Sequence, residues 1–142
     1  MGNFVFSDES KQILSGKVPE EKINYIDEKN IKEQLKRDIY TKFKSQKEFA
    51  GKAKIDESHL NLFLNHSKNL SPDKLISACI VLGYNIAETK KIMAAFRCSF
   101  SAHVKREKFI MKMMNNHCTL DEIDSALLKN GYSGLYTNPK KK

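Results

Sequence analysis

No stretch of this 142-residue chain is apolar for more than a few positions in succession. A bilayer-spanning helix needs about 20 consecutive apolar residues, so no segment is expected to cross a membrane. The opening MGNFVFSDES lacks the charged n-region and apolar h-region of a secretory signal, and a cytoplasmic protein is expected. Cysteine is scarce: Cys79, Cys98 and Cys118 are odd in number and far apart, which is no disulfide framework. Cys79 falls inside an apolar helix and reads as a small core residue. Cys98, His103, His117 and Cys118 carry ligand chemistry, but adjacent ligands such as His117 and Cys118 are unusual in structural zinc sites. Neither a metal nor a cofactor is expected.

Catalytic motifs are missing too. There is no G-x-S-x-G, no G-x-x-x-x-G-K-[ST], no H-E-x-x-H and no paired glycines before a helix. His59 and His66 have Glu57 and Ser67 nearby in sequence, but a catalytic triad needs groups that converge in space. The chain is not expected to be an enzyme.

Acidic residues are the minority: 17 Asp and Glu stand against 25 Lys and Arg, a net charge of +8. That balance suits a polyanionic partner. The excess is concentrated. Between Lys29 and Lys54 nine basic residues (Lys29, Lys32, Lys36, Arg37, Lys42, Lys44, Lys47, Lys52, Lys54) face three acidic ones (Glu33, Asp38, Glu48), a local +6. A solvated lysine-rich face is the plainer reading of the same residues.

Apolar Ile31, Leu35, Ile39 and Phe43 recur every fourth residue, the stripe of an amphipathic helix. Ser45 followed by Glu48 is a capping-box signature and opens a short helix carrying Phe49, Ala50 and Ala53. After a tight break at Lys54 and Ile55, Asp56 caps a second short helix with Leu60, Phe63 and Leu64 on one face. A polar turn over 65–71 leads to Pro72, which opens a helix apolar nearly all round, ending at Gly83. That helix is expected to be the most buried element. Two short helices, a tight turn and a supporting third helix make the layout of a helix-turn-helix.

The residues Ser45-Gln46, Glu48, Ala50, Ile55, Leu60 and Asn65, with Pro72-x-x-Leu75 and Leu82-Gly83 downstream, resemble the lambda-repressor-like (XRE) helix-turn-helix family of bacterial and phage regulators. The resemblance spans about residues 31–95. It implies an all-α, five-helix bundle that reads DNA with the helix over 57–64 in the major groove. Gln46 and Lys47 would meet a phosphate at a helix N-terminus. Glu57, Ser58, His59, Asn61 and Leu62 would face bases, with Asn61 suited to adenine, Glu57 to cytosine and Leu62 to a thymine methyl. Asn65 and Lys68 would contact phosphate past the helix, and Lys32, Lys36, Arg37 and Lys52 would lie towards the backbone. Where the family usually has a left-handed glycine this chain has Lys54, a substitution that costs ~1 kcal/mol.

Residues 1–28 read as an N-terminal arm, 29–96 as the helix-turn-helix domain, 97–136 as a two-helix C-terminal extension and 137–142 as a basic tail. Within the arm, Phe4-Val5-Phe6 is a short apolar segment, Ile13 and Leu14 suggest a helical turn, and a helix starts at Pro19-Glu20-Glu21. A weak internal echo links Ile86-Ala-Glu88 and Leu120-Asp-Glu122, each followed by an apolar pair six and seven positions on. Phe109, Ile110, Met113, Met114 and Leu127 are candidates for a dimer or partner surface, with closure of the core as the alternative. The expected function is sequence-specific DNA binding in transcriptional control, as a phage-type repressor or antitoxin, working as a dimer on double-stranded DNA. The alternative is a degenerate helix-turn-helix used as a protein-interaction module, in an inhibitor, antitoxin or adaptor. The recognition helix has neither Lys nor Arg, which favours that alternative.

Overall fold

Capping and helix-stop signals divide the chain into helices, seen here in a computed structural model that describes residues 20–137, with side chains from residue 28. Seven helices and no strand are present among the described residues: α1 Glu20–Lys42, α2 Gln46–Ala53, α3 Glu57–Asn65, α4 Pro72–Leu82, α5 Ile86–Ala95, α6 Lys105–Asn115 and α7 Leu120–Lys129. No helix among them is long and apolar enough to cross a membrane. The all-α expectation holds. Helix α1 runs without a break through the expected arm boundary at 28/29. The features read at Phe4-Val5-Phe6, Ile13 and Leu14 lie outside the described residues.

Five helices end in the same way. Lys54, Gly83, Arg97, His117 and Gly131 all have positive φ. In each case the next residue's N–H bonds the carbonyl five positions back: Ile55 to Ala50, Tyr84 to Cys79, Cys98 to Met93, Cys118 to Met113 and Tyr132 to Leu127. This is the Schellman closure, which satisfies helix-end carbonyls and turns an apolar side chain back onto the helix. It also explains Cys98 and Cys118, both half-buried free thiols at equivalent turn positions. Three of the five lead straight into another helix through an identical link. Lys54-Ile55-Asp56, Gly83-Tyr84-Asn85 and His117-Cys118-Thr119 each supply a left-handed residue, a spacer and an N-cap.

The echo noticed in the sequence is this link followed by a capping box. Asn85 with Glu88, and Thr119 with Glu122, exchange side-chain and backbone bonds reciprocally. The box expected at Ser45 and Glu48 is altered. Ser45 Oγ accepts from the Glu48 N–H at 3.0 Å, but the Glu48 carboxylate accepts from Lys44 N–H, one residue outside the cap.

One core runs through everything. Ile31, Leu35 and Ile39 of α1 are buried, as are Phe49, Ala50 and Ala53 of α2 and Leu60, Phe63 and Leu64 of α3. Helix α4 buries Leu75, Ile76, Ser77, Ala78, Cys79 and Leu82. The Cys79 thiol is pushed up to about 12 by burial, which suits an inert core position. The core continues through Ile110, Met111, Leu120, Ile123, Leu127 and Leu135, so residues 97–136 close it rather than hang from it. Ile110 and Leu127, candidates for a partner surface, are inside. Phe109, Met113 and Met114 are half-buried against the same cluster.

Two charged groups fasten the segment after α7. Arg106 makes a bidentate pair with Asp73 at 3.0 and 3.2 Å and donates to the Ser133 and Gly134 carbonyls. Asp124, only 3 % exposed, accepts from the Tyr136 and Thr137 N–H groups at 3.0 and 3.2 Å. A Cβ on Gly134 would strike the Asp124 carboxylate and lie 2.8 Å from the Thr137 carbonyl oxygen, so only glycine fits there.

Candidate nucleic-acid interface

Helix α2 presents its N-terminus with two N–H groups, those of Gln46 and Lys47, left over after Ser45 has capped Glu48 and Phe49 has bonded the Ser45 carbonyl. Such free donors, aligned with the helix dipole, favour an anion. The Gln46 side chain is half-buried and Lys47 is exposed. Lys54 sits at φ 59° and ψ 43°, the left-handed conformation expected for that position despite its Cβ.

Helix α3 is held from behind by Leu60, Phe63 and Leu64 and shows solvent a polar face of Glu57, Ser58, His59, Asn61 and Asn65, with Leu62 half-buried. Its start is fixed by Asp56, which accepts from the Ser58 and His59 N–H groups at 3.1 and 3.3 Å and from the Ser58 hydroxyl. Those bonds, the Ser58 hydroxyl first, hold the Asp56 carboxyl below its ordinary range. The Ser58 proton is therefore engaged within the helix cap, leaving this side chain to accept rather than donate.

Asn61 and Asn65 are one turn apart and bonded, Asn65 Nδ2 donating to Asn61 Oδ1 at 2.8 Å. This leaves the Asn61 amide N–H₂ and the second lone pair of its oxygen pointing to solvent, the pattern that pairs bidentately with adenine. Asn65 thus orients the neighbouring amide as well as standing where a phosphate contact was expected. Lys68, past the helix, is exposed and lines a recess of about 230 Å³ with His59, Leu62 and Lys74.

The basic stretch divides in two. Lys32, read as phosphate-facing, reaches inward: Nζ donates to the His66 carbonyl at 2.9 Å and lies 5.0 Å from the Phe63 ring centre and 5.9 Å from that of Phe96. Burial lowers its ammonium pKa. Lys42 likewise donates to the Leu82 carbonyl. These two lysines of α1 cap the C-terminal ends of α3 and α4, where a cation is favoured by the helix dipole. Lys36 pairs with Glu33 at 3.4 Å. Arg37, Lys47 and Lys52 stay exposed. Asp121, at the start of α7, faces the same groove as Ser45, Lys47 and Lys52, an acidic neighbour that sequence distance concealed.

No group of three or more His, Cys, Asp or Glu side chains among the described residues could hold a metal ion. Comparison with protein-family models, characterised proteins and solved structures finds no match for this chain.

Proposed function

We propose that this protein binds double-stranded DNA in a sequence-specific manner and acts in transcriptional control. In this reading α1 to α5 form a lambda-repressor-like domain, α2 docks on the phosphate backbone and α3 enters the major groove. The observation that carries it is the α2–α3 pair. A left-handed Lys54 link joins a helix with two free N-terminal N–H groups to a helix anchored by three buried side chains and polar on its outer face. Asn61, oriented by Asn65, reads adenine; His59 and Glu57 flank it; Lys47 and Lys68 meet phosphate on either side. Two copies would address two half-sites about one helical turn apart.

Selection of binding sites from random duplexes tests it. A defined site should emerge. Asn61→Ala should then cost ~1–3 kcal/mol on that site and much less on unselected DNA. The protein-interaction alternative is favoured by the absence of Lys and Arg from α3. It becomes the better reading if no sequence is enriched and Asn61→Ala leaves DNA binding unchanged.

A further inference from the structure

Beside the α2–α3 pair, between the start of α4 and the segment after α7, lies a polar recess of about 490 Å³. Ligand pockets run from roughly 300 to 1,000 Å³, and a single water needs about 30 Å³, so the space is of ligand size. Its polar lining comes from three separate parts of the chain: Lys54 from the α2–α3 link, Ser71, Lys74 and Ser77 from α4 and its cap, and Ser133 and Thr137 from the C-terminal segment. None of these assignments depends on α3 reading DNA.

We infer that this recess is a binding site for a small phosphate monoester. Three observations converge on that chemistry. The first is charge: Lys54 and Lys74 bring two ammonium groups, while the one carboxylate in the wall, Asp73, has both oxygens engaged by Arg106 at 3.0 and 3.2 Å. Two ammoniums match the near-dianion of a phosphate monoester, and a carboxylate ligand would leave one of them unanswered. The second is Ser77. The residue is 2 % exposed and borders the recess, and its hydroxyl makes no hydrogen bond to any described residue. The hydroxyl is therefore open to an acceptor placed in the recess. The third is rigidity. Lys54 Nζ lies 5.5 Å from the Tyr136 ring centre, the Tyr136 hydroxyl donates to Asp121 at 2.5 Å, and Asp124 clamps the Tyr136 and Thr137 backbone. The wall opposite α4 is therefore built in advance, which reduces the entropy lost on binding.

A phosphoryl group could also come from the backbone of a DNA duplex, and the experiment separates the two sources. Full-length protein labelled with ¹⁵N is titrated with glycerol 3-phosphate at constant ionic strength, with chloride as the control and a short duplex in a parallel arm. The expected result is saturable one-to-one binding, with amide shifts confined to Lys54 and residues 71–77 and 133–137. Lys74→Gln and Ser77→Ala, each checked for an unchanged fold by its spectrum, should each weaken that binding at least tenfold. Shifts that are diffuse and non-saturating, or variants that bind as the parent does, would overturn the site. So would a duplex that shifts these amides when glycerol 3-phosphate does not. A failure to bind any duplex overturns the proposed DNA function and leaves this result standing.

Discussion

At position 54 two opposing effects meet on one side chain. A non-glycine residue in the left-handed region costs roughly 1 kcal/mol or more, yet Lys54 keeps its ammonium over the Tyr136 ring at 5.5 Å. An exposed cation–π contact is worth about 0.5–1 kcal/mol, so it offsets much of the strain. Lys54→Gly is therefore expected to stabilise the protein by only a few tenths of a kcal/mol. In a Tyr136→Leu background the same change should gain more, with a coupling of about 0.5 kcal/mol in a double-mutant cycle read by urea unfolding. Zero coupling would mean that the ring does nothing for the lysine. Gly134 is the opposite case, since no side chain can be accommodated between Asp124 and the Thr137 carbonyl. Gly134→Ala should destabilise by roughly 2 kcal/mol or more, through the clash and the lost bonds to a buried carboxylate.

At the scale of helices, much was legible because the signals are local. Ser45, Asp56, Pro72 and Gly83 mark helix ends through bonds to residues three to five positions away, and the stripe Ile31, Leu35 and Ile39 states which face is buried. Asp56 shows how far such a signal reaches. Its carboxyl is held below the ordinary value by the Ser58 hydroxyl and the His59 N–H. A folded-state pKa below the unfolded one contributes stability above the unfolded value and loses it as pH falls through the folded value. The α3 cap should thus be intact at neutral pH and weaken only in acid below about pH 4. Amide exchange of Ser58 and His59 followed through that range checks it, and an Asp56→Ala protein, which lacks the cap, should show no such acid transition. What stayed hidden depends on distance in space. Nothing local says that Lys32 reaches the His66 carbonyl, that Arg106 grips Asp73, or that Asp121 faces Lys47. The left-handed lysine, arginine and histidine at 54, 97 and 117 were equally unmarked except at 54, where the family resemblance pointed to it.

For the molecule as a whole, the question is which of its positive charges a polyanion would meet. Net charge alone would count all nine basic residues between Lys29 and Lys54. The structure removes Lys32 and Lys42 from that set, because their ammoniums terminate α3 and α4, and Lys36 is paired with Glu33. Lys47 remains at the open N-terminus of α2 and Lys68 beyond the end of α3. Each phosphate neutralised adds about 0.9 to the slope of log K against log salt. If the proposed docking holds, Lys47→Gln and Lys68→Gln should each reduce the slope for random duplex DNA by about 1 without loss of fold. Lys32→Met removes the same formal charge but should leave the slope unchanged. Its effect should appear as a loss of roughly 1–2 kcal/mol in stability, from the uncapped carbonyl at the end of α3. Equal slope changes for Lys32 and Lys47 would mean that the basic stretch acts as a diffuse field and that α2 has no defined seat on the backbone.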